Sequence, residues 1–264
     1  MYKLVVCSFD NTLIDSEEVI PTSTALLFDK LRRDNIKIVI TTGRCLKSVL
    51  DYNRDFPICD YLVTSNGAYI YDVIKQNVIF KKNIGIRTIK KIIKEFYDKA
   101  SIYLINNNIW NFFDDGSVSK YNYDVRKITN KDEFLEENKK NIYKIELHFN
   151  FLNDLKKAVK KIKMLELNIN INVCDSNNKY LIEITDKEAS MLSGLEKILK
   201  REKITKSEII SFGSCSSDIE IIKKSGMGIA MGNAVDKLKK ISHLVTLDND
   251  NKGVEYYLKK LYKD

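Results

Sequence analysis

The sequence predicts an α/β protein: a doubly wound parallel sheet interrupted by an inserted α+β domain. Short apolar runs at residues 3–7, 36–40 and 61–64, and again at 208–212, 228–231 and 244–246, are nearly continuous rather than alternating. Strands of that kind are buried on both faces, as in parallel sheets. Helical segments separate them, which gives consecutive strand–helix units. The middle of the chain departs from this pattern and carries helices between strands of alternating polarity.

Taken in order, Pro21 and Thr22 open a helix with Ala25, Leu27 and Leu31 on its apolar face. It ends near Asn35, a residue type that tolerates the left-handed conformation at helix ends. The strand at 36–40 runs into the turn Thr41-Thr42-Gly43-Arg44, and 61–64 is the third strand. Ile89, Ile92, Ile93 and Phe96 recur at helical spacing, as do Leu155, Ala158, Val159 and Ile162. Strands at 102–105, 143–149 and 180–184 lie between and after them. In 143–149, Ile145, Leu147 and Phe149 alternate with Glu146 and His148, which predicts a sheet with one face in water. His148 then points either from this sheet toward the cleft or into solvent, and solvent is the expectation. Leu192, Leu195 and Leu199 mark the helix before the strand at 208–212, and Val254, Tyr257, Leu258 and Leu261 mark a closing helix. The expected division is a core of residues 1–83 and 187–264 with an inserted domain over 84–186.

Composition narrows the function classes. With 264 residues, 44% hydrophobic and 30% charged, the chain can bury a full core and is not of the disordered class. It has no apolar run of membrane-spanning length and no signal-peptide pattern, so a cytoplasmic protein without a membrane partner is expected. The net charge of +8 raises the question of nucleic acid, but the lysines interleave with acids along helices, as in KKIIKEFYDK. No nucleic-acid motif accompanies them, so no such partner is expected. Five scattered cysteines fit neither a disulfide framework nor zinc spacing. Cys215, in a polar loop without a cationic neighbour in the sequence, reads as an inert thiol. The sequence names no protein partner.

Four segments end a strand at a polar turn: SFDNTL, TTGR, SNGAY and FGSCSSD. In an open parallel sheet the carboxyl ends of the strands form the ligand-binding edge, so these distant segments converge. Together with YLIEITDKEASMLSGL, GIAMGNA and KGVEYYL, in that order over nearly the whole chain, they resemble the haloacid dehalogenase (HAD) superfamily. The closer resemblance is to its Cof-type phosphatases with a large α/β (type IIB) cap. It implies a HAD-like, Rossmann-like core with the cap at 84–186, magnesium as cofactor, and a small phosphorylated metabolite as ligand. In this chemistry the first Asp of an Asp-x-Asp motif attacks phosphorus, and the second serves as general acid and base.

Carried over residue by residue, the resemblance assigns the acid/base position to Asp10, followed by Thr12. The phosphate-holding hydroxyl is Thr42, beside Gly43 and Arg44. Asn66 and Gly67 form the family's Asn-Gly turn, Gly232 and Asn233 its late Gly-Asn, and Asp218 the final Asp of its fourth motif. Four positions depart. The nucleophile position is Ser8, the lysine position Met191, the metal-binding Asp position Ser214, and its companion Asn position Ser217. Ser8 and Ser214 remove two anionic ligands, which leaves little more than the Asp10 carbonyl and the Asp218 carboxylate, beside the Ser214 hydroxyl, for a metal that favours carboxylates. Ser8 as nucleophile would need a base, and neither histidine of the chain, His148 or His243, belongs to a motif that reaches it. The set implies a member without ordinary magnesium-dependent phosphatase chemistry, a pseudoenzyme that works by binding or regulation. The alternatives are a weak or altered phosphohydrolase on small phosphorylated metabolites and a structural or interaction module.

Overall fold

The computed structural model describes residues 2–53, 58–106, 109–111, 125–176 and 179–262. Two sheets organise them. The first half of the core contains β1 (Leu4–Ser8), α1 (Thr22–Arg33), β2 (Lys37–Thr41), α2 (Leu46–Leu50), β3 (Tyr61–Thr64), β4 (Tyr69–Asp72) and β5 (Asn77–Lys81). The inserted part contains α3 (Ile86–Phe96), β6 (Ser101–Ile105), β7 (Ile109–Asn111), β8 (Val125–Lys127), α4 (Lys131–Glu137), β9 (Lys144–Phe149), α5 (Leu152–Met164), β10 (Ile169–Ser176) and β11 (Lys179–Asp186). The chain then returns to the core with α6 (Met191–Glu202), β12 (Ile209–Gly213), α7 (Ile219–Lys224), β13 (Met227–Ala230), α8 (Asp236–Ile241), β14 (Leu244–Val245) and α9 (Gly253–Tyr262).

The core sheet has the order β14-β13-β12-β1-β2-β3-β4-β5. From β14 to β3 every pairing is parallel, while β4 and β5 add an antiparallel edge. That edge is not visible in the apolar pattern, because β5 is largely exposed. The central strands are buried on both faces: Val5 and Cys7 join one apolar cluster, Leu4 and Val6 the other. Their continuous hydrophobicity has this cause. After α1, Asn35 takes φ +63° and Ile36 N–H donates to Leu31 O at 2.9 Å, which closes the helix and turns the chain into β2. The chain runs from β1 outward through β2 and β3, then resumes on the other side of β1 with β12. The switch point therefore lies at β1, and Ser8 is its last residue.

The second sheet, β10-β11-β9-β6-β7-β8, lies wholly within the inserted part. Ile89, Ile92, Phe96, Leu155 and Ile162 of α3 and α5 pack on Leu104, Ile145, Leu147, Ile182 and Ile184 of the sheet to form a separate apolar core. The other face of β9 corrects the sequence reading. It is not in water, because Lys144 and Glu146 are each only 3% exposed. Alternation reports that one face is polar, not that it is solvated, and here the polar face is turned onto the core domain. Just before β9, Tyr143 reaches into the core's apolar cluster and meets Tyr69 edge-on, ring centroids 5.0 Å apart.

Candidate functional site

The site is built from the loops that leave β1, β2, β3 and β12. Residues Phe9–Leu13 form one wide helical turn, with Asn11 in the left-handed region at φ +55°. This turn lifts Asp10 toward β2. Arg44 Nε donates to Asp10 Oδ1 at 2.7 Å, and Thr42 Oγ1 donates to Asp10 Oδ2 at 3.1 Å. Arg44 also lies over the Phe9 ring, 5.2 Å from its centroid, and pairs with Glu18 at 3.4 Å. Both carboxylate oxygens of Asp10 are thus engaged.

On the other side of β1, hydroxyls meet. Thr12 Oγ1 donates to Ser214 Oγ at 3.0 Å, and Ser214 Oγ donates to the Asp10 carbonyl at 3.4 Å. Asp218 Oδ2 accepts the backbone N–H groups of Ser214 and Cys215, each at 2.9 Å, and so holds the loop after β12. Its other oxygen, Oδ1, is buried and finds no hydrogen-bond partner of normal geometry. Burial pushes the Asp218 carboxyl up, against the opposing pull of those two N–H groups and of the nearby Ser8 hydroxyl. Ser8 itself is buried. Burial also raises the Cys215 thiol to about 11, helped by Asp218, so the inert reading of that cysteine has a physical cause. Asn233 donates to the Asn11 carbonyl at 2.9 Å and braces the turn after β1. Ser217 lies half-buried in the turn between β12 and α7.

Ser8, Asp10, Thr12, Thr42, Gly43, Arg44, Ser214, Asp218 and Asn233 therefore come to one edge. The Asn66-Gly67 turn adjoins it. Gly67 has φ +90°, and a Cβ there would stand 2.0 Å from Ser190 O and 2.9 Å from Met191 N, so the turn rests directly on the start of α6. The Met191 side chain belongs to the apolar cluster with Val63, Ile70 and Leu195. The backbone at this position adjoins the Asn-Gly turn, while its side chain packs among apolar residues.

Sequence reasoning missed the residues that face this edge from the cap. Lys144 Nζ donates to the Gly43 carbonyl at 2.6 Å, and pairs with Glu183 Oε1 at 2.7 Å and Glu146 Oε1 at 2.6 Å. Glu183 Oε2 accepts from Asn66 Nδ2 at 3.0 Å and from Asn172 Nδ2 at 2.9 Å. Glu146 Oε2 lies 2.8 Å from His148 Nε2, and the His148 ring packs against Tyr103. His148 thus joins the buried cluster rather than pointing to solvent. Burial alone would pull the Lys144 ammonium down, but Glu146 and Glu183 outweigh it and hold its pKa above the ordinary lysine range. Burial would likewise raise Glu146, yet Lys144 and His148 hold it below the ordinary carboxylate range. The signal was present in the alternation of Lys144, Glu146 and His148. The aromatic stretch around Trp110, Phe112 and Phe113 reads in sequence equally as a specificity region of the cap or as a packed cap strand, and Phe112 and Phe113 lie outside the described residues.

A family model described as haloacid dehalogenase-like hydrolase matches residues 5–258. The chain is 23% identical over 269 residues to a 5-amino-6-(5-phospho-D-ribitylamino)uracil phosphatase, YitU, of Bacillus subtilis strain 168, with 98% of this chain and 97% of the relative covered. Among solved structures, TM0651 from Thermotoga maritima superposes with a TM-score of 0.84 at 26% identity, covering 98% of this chain and 97% of that one. The HAD subclass IIB sugar phosphatase BT4131 gives a TM-score of 0.81 at 22% identity, covering 98% and 99%. At that identity the likeness concerns the fold.

Proposed function

The chain belongs to the haloacid dehalogenase-like hydrolase family, and from that premise we propose that it is a member without ordinary magnesium-dependent phosphatase chemistry, whose cleft works by binding or regulation. The observation that carries this reading is the hydroxyl corner. Ser8 stands at the nucleophile position, and Ser214 donates to the Asp10 carbonyl where the family needs an anionic metal ligand.

A serine can attack phosphorus only if a base takes its proton. His148 is engaged with Glu146, and His243 Nδ1 accepts the Gly228 N–H at 3.0 Å. The Asp10 oxygens are held by Arg44 and Thr42, and Asp218 Oδ2 by two backbone N–H groups. Among the described groups, the second Asp218 oxygen is the one near the Ser8 hydroxyl without a partner of normal geometry, and it is the candidate base for the weak-phosphohydrolase reading.

Phosphatases of this family generally use magnesium, and these donors do not fit it. The ion binds through carboxylates and surrenders its waters reluctantly. The corner offers one unpartnered carboxylate oxygen, the neutral hydroxyls of Ser8, Thr12 and Ser214, and a carbonyl already in a hydrogen bond. Among the described residues, no three His, Cys, Asp or Glu side chains gather as a metal-binding group.

A second reading is a weak or altered phosphohydrolase on small phosphorylated metabolites. It is favoured by the intact set of Asp10, Thr42 and Arg44. A phosphatase assay with magnesium, an aryl phosphate and a panel of sugar phosphates separates the two. The native chain is expected to stay at background, as is Ser8→Asp alone, while turnover emerges when Ser8→Asp is combined with Met191→Lys and Ser214→Asp. Robust turnover by the native chain would end the first reading and establish the second.

A further inference from the structure

A buried charge cluster lies outside the strand-end corner, on the polar face of the cap sheet. Strand register sets Glu183 of β11 directly opposite Glu146 of β9. Two carboxylates so placed repel one another, and burial sharpens the repulsion. The Lys144 ammonium relieves it by sitting within 2.7 Å of both. The ions that neutralise one another are also tied to two loops of the core. Lys144 reaches the Gly43 carbonyl, and Glu183 takes the Asn66 amide. Gly43 is close beneath them, since a Cβ there would lie 3.1 Å from Glu183 Oε1 and from Asn66 Oδ1. The loop so covered is the one that carries Thr42 and Arg44.

We propose that Lys144 is the latch of the cap: its ammonium neutralises Glu146 and Glu183 where they press on the core and bonds the Gly43 carbonyl, so that the cap rests shut over residues 42–44 and a ligand enters only when that bond is withdrawn. This holds whether or not the site turns over a substrate, because it concerns access and not chemistry. Without the ammonium, two facing carboxylates in a dry interface require water, and water reaches them only if the cap lifts. Neutralising the carboxylates at the same time removes that requirement.

Two measurements on the full chain test the latch. In the native protein, lysine acetylation followed by mass spectrometry is expected to label Lys144 at least about tenfold more slowly than exposed Lys157, since labelling needs an opening event. Equal rates would overturn the latch. In solution scattering, Lys144→Met is expected to give a larger radius of gyration than the native chain, and Lys144→Met/Glu146→Gln/Glu183→Gln a value between the two, since the repulsion is gone but the bond to Gly43 is not restored. A folded Lys144→Met protein with an unchanged scattering curve would overturn it as well. If that variant does not fold, the labelling rate of the native lysine decides.

Discussion

At the strand ends of the core, hydroxyls and backbone groups do the holding: Thr12 to Ser214, Ser214 to the Asp10 carbonyl, two N–H groups to Asp218, and the Gly67 backbone against α6. Across the same cleft, on the cap sheet, charges do it: Lys144 between Glu146 and Glu183, with His148 beyond. The two regions tolerate change differently for this reason. A corner shaped by backbone and hydroxyls keeps its form when carboxylates are absent from positions 8 and 214. A buried ionic cluster keeps its form only while its charges balance. This is why the strand-end corner holds its shape with the Ser8 and Ser214 hydroxyls at its centre.

The largest expected effect tests the backbone side of the comparison. Gly67→Ala forces an L-residue into φ +90° and drives a methyl into Ser190 O. A cost of about 3 kcal/mol or more follows from the left-handed penalty plus overpacking. Denaturant melts would show it. A loss under about 1 kcal/mol would mean that the contact between the turn and α6 does not hold the corner.

The charge side is next, and the two regions should respond to acid with opposite sign. Glu146 has its folded pKa below its unfolded value, so its contribution to stability is present above about pH 4.5 and is lost as pH falls through the folded pKa. Glu146→Gln should therefore cost about 2 kcal/mol at pH 7, less than breaking a whole buried pair because Glu183 still holds Lys144, and much less in acid. Asp218 has its folded pKa raised, so its contribution is full below its unfolded value of 3.8 and is lost as pH rises through the folded pKa. Asp218→Asn, which never charges but can still accept the two N–H groups, should match or exceed native stability at pH 7 by up to about 1 kcal/mol. It should lose that advantage near pH 3. Stability curves of the two variants that move in parallel with pH would dissolve the contrast.

The sequence carried the core well and the cleft only in half. Buried parallel strands announce themselves by unbroken apolar runs, and the loops that follow them hold Asp10, Thr42, Asn66 and Asp218 at strand ends where topology must gather them. The exposed β5 has no such run, and β4 pairs back across a tight turn, so the antiparallel edge was not legible. On β9 the alternation marks a polar face, but that face is buried rather than wet. Period two separates faces but says nothing about what covers the polar one. That depends on how the cap docks, through Tyr143 on Tyr69 and Lys144 on Gly43, contacts between residues far apart in the chain.

The smallest effect concerns the ion pair between Arg44 and Asp10 inside the strand-end corner. Arg44 and Asp10 meet at 2.7 Å, but the Asp10 side chain is 39% exposed, so water screens the pair in a way it cannot screen Lys144. If the corner is held by backbone and hydroxyls, the pair is a minor support. Arg44→Met and Asp10→Asn should then couple by roughly 0.5–1 kcal/mol in a double-mutant cycle, the range of water-screened pairs. The coupling should fall further in 0.5 M salt, where the screening length drops below about 5 Å. A coupling of several kcal/mol that resists salt would put this corner in the same class as the cap cluster, and the division between a hydroxyl-held and a charge-held wall of the cleft would fail.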